Sequence, residues 1–303
     1  MLVQKNRFLQ AMITLLFLLI STAIFELDIS DQFSQRFSAP VNIGQIQSDE
    51  LSEISGMVAS IKNNGSFWVI NDSGNTAKLY LIDLSGHILS SYELNNTSNV
   101  DWEDIAIMVD QKTGASKIVI ADIGDNMAIR DHVKIIIVDE PDTKKETGRS
   151  ITPSSTYRLK YEDGARDAET LLIDPISNKL FIVSKREDKV RLYELPPLKS
   201  SEGIQAMTFK QSFELKSITS GAISADGSEI LLKNYSKIYY WKRSEDQSLM
   251  EVLRTKHELL NYNPEPQGES ITWNTDASGF YTLSEKSWAP KQIMYFYERT
   301  KGN

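Results

Sequence analysis

SEISGM (residues 52–57) is the first of five similar stretches that recur along the chain. The other four are DWEDIAI (101–107), DAETLLI (167–173), ITSGAIS (218–224) and QGESITW (267–273). One aligned residue in each stretch serves as a reference position, and these residues are Glu53, Glu103, Glu169, Thr219 and Glu269. Successive reference positions are 50, 66, 50 and 50 residues apart. A repeat of this length indicates that one structural unit occurs several times.

Each of these stretches is followed by short apolar runs that are rich in β-branched and aromatic residues. Second runs lie at 67–72, 118–123, 180–185, 230–235 and 280–285, and third runs at 78–83, 134–139, 191–196, 237–242 and 292–297. Weaker fourth runs lie at 88–94, 155–161, 207–215 and 250–256. Turn-forming residues separate the runs, which predicts antiparallel strands. Four strands in about 50 residues predict an all-β chain folded as a five-bladed β-propeller, with a two-sheet sandwich as the alternative.

The fifth unit lacks a fourth strand before the chain ends, and residues 41–47 (VNIGQIQ) form a spare apolar run. We expect this segment to supply the missing strand, so that the propeller spans 41–303 and closes between the two chain ends. Closure is needed because an open ring would leave the first and last blades with exposed apolar faces. The wider interval after the second reference position predicts a long loop at 140–154.

The N-terminal residues have the pattern of an export signal. Lys5 and Arg7 precede an apolar run at 11–25. Counted from Phe8, with one Gln inside, the apolar segment is on the border of the length needed to cross a membrane. Residues 1–25 are expected to form a hydrophobic helix, either a cleaved signal peptide or an uncleaved signal-anchor, with a buried core helix as the alternative. Residues 26–40 are expected to be a linker. The rest of the chain is then exported, into the periplasm or another extracytoplasmic space, or held at the inner membrane by the helix.

The composition excludes several classes of function. The chain of 303 residues has 33 Lys and Arg against 41 Asp and Glu, a formal charge of −8. Nucleic-acid phosphates require the opposite balance, so no nucleic-acid partner is expected. The sequence contains no Cys, which excludes disulfides, thiolate metal sites and a thiol nucleophile. We expect a monomer that meets the membrane only through its N-terminal segment.

Four of the five reference positions carry a glutamate, and the first strand of a propeller blade lines the central channel. The repeat is therefore expected to bring these carboxylates towards one axis, where protons or a cation must offset their repulsion. Oxygen ligands in flexible geometry favour Ca²⁺. The predicted calcium ligands are Ser52, Glu53, Glu103, Glu169, Thr219 and Glu269. The alternative is a solvated acidic channel mouth, or carboxylates bonded to backbone N–H groups.

A second group of polar residues follows the second strand of each unit, which returns to the same rim of the ring. Basic side chains beside an axial cation predict a pocket for an anionic group such as phosphate. The predicted ligand-binding residues are Asn71, Asp72, Asp125, Asn126, Lys185, Arg186 and Lys286. The alternative is ordinary turn chemistry with solvated charges.

Four short motifs resemble those of bacterial exported propeller proteins without an established activity. They are E-x-S-G at 53–56, N-D-S-G at 71–74, D-W-E-D-I-A at 101–106 and D-A-E at 167–169. This resemblance implies a propeller fold and export.

More remotely, the reference glutamates and Ser52 resemble the axial ligands of the calcium-activated nucleotidases (apyrases). Those proteins are five-bladed propellers with calcium on the axis, so the resemblance implies a calcium site here. Lys185 and Arg186 stand where that family has two arginines near the phosphates. The turn at 71–74 departs from the family, because the basic residue of its motif is missing.

Two functions follow from this reading. The first is a metal-binding module for a small anionic ligand or an envelope protein. The alternative is a calcium-dependent phosphohydrolase, nucleotidase- or phytase-like, that acts on phosphate esters or anhydrides. In that mechanism the cation polarises a phosphoryl oxygen, Lys185 and Arg186 hold the anion, and Asp104 or Asp122 activates water.

Overall fold

Strands account for nearly all of the regular structure in the computed structural model, which describes residues 33–110, 112–145, 148–198, 203–286 and 291–301. The hydrophobic helix predicted at 1–25 and residues 26–32 of the predicted linker lie outside the described residues. Within the described ranges, no helix is long and apolar enough to cross a membrane. The short helices are a 3-10 turn at Asp49–Leu51 and α1 at Leu249–Leu253.

The first strands of the described residues are one separate strand and an antiparallel meander. These strands are β1 (Val41–Gln45), β2 (Ile54–Ala59), β3 (Ser66–Asn71), β4 (Lys78–Asp83) and β5 (Ile88–Leu94). Strands β2 to β5 pair in chain order, each antiparallel to the next. Every residue of β3 is buried, because apolar clusters cover both faces of this strand.

Two further meanders follow and share one sheet. Their strands are β6 (Trp102–Val109), β7 (Ser116–Asp122), β8 (Val133–Asp139), β10 (Ser155–Tyr161), β11 (Ala168–Asp174), β12 (Lys179–Ser184), β13 (Arg191–Glu194) and β14 (Ile204–Ser212), and the short strand β9 (Ser150–Ile151) comes between β8 and β10 in sequence. Strands β6, β7, β8 and β10 form one meander and β11 to β14 the other. The outer strands β10 and β14 pair in parallel, which joins the two meanders into an eight-stranded sheet. Strand β9, inside the predicted loop at 140–154, pairs in parallel with β5.

The last strands are β15 (Ser220–Ile223), β16 (Glu229–Lys233), β17 (Ile238–Lys242), β18 (Glu258–Leu260), β19 (Gly268–Trp273), β20 (Gly279–Ser284) and β21 (Ile293–Glu298). Strands β15 to β18 form a four-stranded meander. Strands β19 to β21 form the last meander, and β1 adds its outer strand by antiparallel pairing with β21. The predicted contribution of the N-terminal run to the last sheet is confirmed.

The fourth strand predicted at 250–256 is wrong. Residues Leu249–Leu253 form α1 instead, because Ser248 and Glu251 make a reciprocal capping box at its N-terminus. The Ser248 backbone N–H donates to the Glu251 carboxylate at 2.7 Å, and the Glu251 N–H donates to the Ser248 hydroxyl at 3.3 Å. The outer strand of this meander is β18, which begins at Glu258.

The first strands of the meanders contact one another in a closed ring. The order around the ring is β2, β6, β11, β15 and β19, and β19 returns to β2. Each meander runs outwards from its ring strand, which is the arrangement of a β-propeller. The predicted all-β class is confirmed.

The hydrophobic core is divided among the interfaces between neighbouring meanders. Trp68 and Tyr92 of the first meander share a buried cluster with Trp102 and Ile136 of the second. Four further clusters in the described part of the chain occupy the other interfaces. Each meander is therefore stabilised mainly by its two neighbours.

Ring closure can be tested at Gly44 in β1. A Cβ atom on Gly44 would lie 2.1 Å from the Leu84 carbonyl oxygen, in the turn between β4 and β5. We expect Gly44→Val to lower the free energy of unfolding by about 1–3 kcal/mol, because the last sheet is forced away from the first. Denaturant unfolding checks this, with Gly203→Val as the control, since nothing lies within 4 Å of a Cβ there. Equal effects of the two substitutions would contradict tight closure at β1.

Candidate metal centre

Three of the reference glutamates occupy β-bulges. In β6, Trp102 faces Asp122 and Asp104 faces Ala121, which leaves Glu103 as the extra residue of the strand. The same shift occurs in β11 at Glu169 and in β19 at Glu269. A bulge takes a side chain out of the regular alternation of a strand and re-aims it. The three glutamates are 5%, 5% and 6% exposed.

The first unit has its bulge two residues later than the sequence alignment placed it. Ile54 faces Asn71 and Gly56 faces Ile70, so Ser55 is the residue equivalent to Glu103. Ser55 is buried, and its hydroxyl donates to the Trp102 carbonyl oxygen at 2.7 Å. The alignment of Glu53 with Glu103 is therefore corrected.

Carboxylates from two neighbouring meanders converge at the end of the ring where β3 ends and β6 begins. One carboxylate oxygen each of Asp72, Asp101 and Glu103 lie within 4.8 Å of one another. Asp72 directly follows β3, and Asp101 directly precedes β6. Because residue 124 is a glycine, its backbone can lie next to two of these carboxylates. A Cβ atom there would lie 2.2 Å from Glu103 Oε1 and 2.5 Å from Asp101 Oδ2.

Glu103 is the buried member of this group, whereas Asp72 and Asp101 are partly buried. No hydrogen bond to the Glu103 carboxylate is found among the described residues, although its side chain is buried. Burial, and then the charges of Glu169 and Asp72, raises the pKa of Glu103 well above its usual value. Burial also raises the pKa of Asp72 to about 6 and that of Asp101 in the same direction. The site therefore favours protons or an added cation.

A series of hydrogen-bonded side chains extends across the ring beside these carboxylates. Lys185 Nζ bonds Glu169 Oε1 and, at 3.1 Å, the hydroxyl of Tyr235, which in turn donates to Glu269 Oε1 at 2.8 Å. Glu169 Oε2 is buried and has no hydrogen-bond partner. Burial raises the pKa of Glu169 to about 8, although Lys185 acts in the opposite direction. Burial and the charge of Glu269 raise the pKa of Glu285 to about 9.

Glu53, Ser52 and Thr219, also predicted as calcium ligands, are not members of the group of three converging carboxylates. Glu53 is exposed, and its Oε2 accepts a hydrogen bond from Asn75 at 2.6 Å. Ser52 is half-buried, and its carbonyl oxygen accepts the Lys286 backbone N–H at 2.7 Å. The buried Thr219 hydroxyl donates to the Gly268 carbonyl oxygen at 3.0 Å. Their role as ligands stays a prediction.

The predicted basic residues each pair with a carboxylate. Lys185 pairs with Glu169 as described, and Arg186 Nε lies 2.5 Å from Asp167 Oδ2. Arg186 also donates to the Asn126 side-chain oxygen. Lys286 Nζ lies 2.6 Å from Asp49 Oδ1.

The predicted polar residues Asn71 and Asp125 have hydrogen-bond partners inside the protein, and those of Asp125 lie in its own turn. The Asn71 amide donates to the Glu50 carbonyl oxygen at 2.6 Å. The Asp125 carboxylate accepts the backbone N–H groups of Ile129 and Arg130 at 3.0 and 2.9 Å. Such bonds within a turn fix its conformation.

The two predicted catalytic acids also have partners inside the protein. The Asp104 carboxylate accepts the backbone N–H groups of Leu171 at 2.8 Å and of Ile105 at 2.9 Å, and burial raises its pKa well above the usual value. Asp122 Oδ1 lies 2.8 Å from Arg130, and Oδ2 lies 3.5 Å from Lys134. Both acids are at most 2% exposed.

Sequence reasoning missed three residues of the centre. Asp101 was not among the predicted site residues, because it lies two positions before the reference glutamate of its unit. Gly124 carries no chemical group that a search for ligands detects, although its place in a Gly-Asp-Asn turn opposite a reference position was a usable signal. Ser55 was missed because the sequence alignment matched the preceding Ser-Glu pair to the other units by residue type, whereas the strand register makes Ser55 the equivalent residue.

Comparison with known proteins identifies no family. No protein-family profile and no curated protein matches the sequence. Solved structures similar to the chain include the Dos1 propeller, with 12% sequence identity and a TM-score of 0.41 over 82% of this chain and 69% of that one. The motif resemblances to exported bacterial propeller proteins and to apyrases stay predictions.

Proposed function

We propose that the chain is a five-bladed β-propeller that binds a divalent cation, Ca²⁺, at the acidic end of its central ring. The blade number follows from five ring strands that each begin a four-stranded meander, the last completed by β1. The observation that carries the metal proposal is the buried Glu103 carboxylate, which has no donor within the described residues and lies beside Asp72 and Asp101.

A cation suits this site better than internal donors do. Three carboxylates within 4.8 Å repel one another strongly when ionised, and the burial of Glu103 reduces the screening of its charge by water. Carboxylate oxygens are hard ligands, and Ca²⁺ accepts about 6–8 oxygens in flexible geometry. Asp72 and Asp101 are only partly buried, so water or a ligand oxygen can complete the coordination.

The proposed wider role is that of a binding module rather than a phosphohydrolase. A cation held at the channel mouth offers open coordination positions to a small anionic ligand. Lys185, Arg186 and Lys286 already pair with carboxylates, so we infer that the cation supplies most of the attraction for the anion. The bonds of Asp104 to two backbone N–H groups favour a structural role over water activation. Export and the monomeric state stay predictions.

Calorimetric titration of Ca²⁺ into the chelator-treated full chain tests the proposal. We expect one cation per chain, with a raised melting temperature because the ligand binds only the folded state. Glu103→Gln should weaken binding by about tenfold or more, since it removes a charged ligand but keeps the side-chain shape. Glu298→Gln is the charge-matched control, on an exposed residue of β21.

Two results would contradict the metal centre. One is the absence of both binding heat and a melting shift in the unsubstituted chain. The other is equal weakening by Glu103→Gln and Glu298→Gln, which would mean that Ca²⁺ responds only to overall negative charge.

A further inference from the structure

The opposite end of the ring contains an apolar cavity. Its volume is about 390 Å³, and all five ring strands contribute to its walls. Representative wall residues are Val58, Ala106, Ile173, Ile223 and Trp273. No charged side chain is among the residues that line it.

A floor of buried side chains separates this cavity from the acidic end. Ile105, Leu171 and Ile271 line the cavity, and each is at most 3% exposed. In sequence they come two residues after Glu103, Glu169 and Glu269. The cavity and the candidate metal centre therefore lie on opposite sides of one apolar layer.

We propose that this cavity binds an uncharged, largely apolar small molecule. The size is suitable, because small-molecule pockets span about 300–1,000 Å³ and an apolar cavity of about 150 Å³ already accepts benzene. The lining excludes charged ligands, since a charge there would lose its hydration without gaining a partner.

Two of the polar side chains in the lining, Ser224 and Asn274, already have hydrogen-bond partners. The Ser224 hydroxyl donates to Asp226 at 2.5 Å and accepts the Glu229 N–H at 3.0 Å. The Asn274 amide donates to Asp276 and Ser278, each at 2.8 Å. These groups are engaged in their own turns, so shape and apolar contact dominate recognition.

The rim of the cavity is partly apolar, because exposed Ile61 and Val109 stand there together with the exposed polar residues Asn178 and Thr275. Ile61 and Val109 line it and are 46% and 42% exposed. Removal of such apolar surface from water by a ligand lowers the free energy of the complex. A ligand that fills the cavity would cover both side chains.

The test is a fluorescence titration of the full chain, in detergent-free buffer, with N-phenyl-1-naphthylamine, an uncharged naphthalene probe. We expect saturable binding of one probe per chain. Ile223→Glu in the wall should weaken binding by at least about tenfold, a loss of 1.4 kcal/mol or more. Ile61→Glu at the rim should weaken it in the same direction, and its partial exposure makes it compatible with folding.

Leu89→Glu is the matched control, because Leu89 is 53% exposed on β5 and does not line the cavity. All variants share the same N-terminal residues, so a difference among them reports on the cavity rather than on probe bound elsewhere. Ca²⁺ or chelator should leave probe affinity unchanged, which separates this site from the metal centre. Probe binding that is not saturable, or that Ile61→Glu and Leu89→Glu alter equally, would overturn the proposal.

Discussion

Replacement of Arg243 by Met is expected to lower the free energy of unfolding by about 3–5 kcal/mol. Arg243 joins two neighbouring meanders, since its guanidinium bonds Asp174 at the end of β11 at 2.7 and 3.3 Å. The two side chains are 3% and 1% exposed. Burial raises the pKa of Asp174, but the bonds from Arg243 and Ser177 outweigh it, and the net shift is downwards. Without Arg243 the carboxylate would remain buried with too few donors.

Denaturant unfolding with two controls measures this effect. Lys216→Met breaks an exposed pair with Asp188 and should change stability little, because water screens such pairs. The double variant Arg243→Met/Asp174→Leu should recover part of the loss, since a buried ion pair can be exchanged for apolar contact. Recovery stays partial because Asp174 also accepts hydrogen bonds from Ile176 and Ser177. If Arg243→Met lowered the free energy of unfolding by less than Gly44→Val does, the Arg243–Asp174 pair would not be central to the interface between its two meanders.

Much of the fold could be predicted because most strand pairs are neighbours in sequence. The apolar runs that became β3, β7, β12, β16 and β20 stand at regular spacing and bury nearly every residue. The parallel pairs β10–β14 and β5–β9 could not be predicted, because local apolar patterns do not specify which outer strands meet. Helix α1 was missed because its capping box was not weighed against a short apolar run.

The site was less predictable because it depends on strand register. The repeat correctly grouped Glu103, Glu169 and Glu269, which all occupy bulges. It misaligned Glu53, because residue type and strand register differ by two positions in the first unit. Residue type alone also assigned Asp72 to an anionic ligand, whereas the structure places its carboxylate beside Asp101 and Glu103.

The crowded carboxylates make stability depend on pH in an unusual direction. Burial raises the pKa of Glu169 to about 8, so the folded chain keeps a proton that the unfolded chain releases above about pH 4.5. The stabilising protonated form is fully present below that lower value and is lost as pH rises through about 8. Glu265, with a pKa raised by burial to about 7, acts in the same direction. Lys233, with a pKa lowered by burial to about 8, acts in the opposite direction only at higher pH.

We therefore expect the chelator-treated chain to lose stability on the order of 3 kcal/mol between pH 5 and pH 8, and Ca²⁺ to restore much of it at pH 8. Melting temperatures at pH 5, 6.5 and 8, with chelator or with Ca²⁺, measure both effects. Glu103→Gln imitates a permanently protonated acid, so at pH 8 with chelator it should be more stable than the unsubstituted chain. It should also gain little from Ca²⁺, because it lacks the buried charge that the cation offsets. Stability that rises steadily from pH 5 to pH 8 in chelator would mean that the carboxylates are ionised and satisfied without a cation, and the metal centre would lose its physical basis.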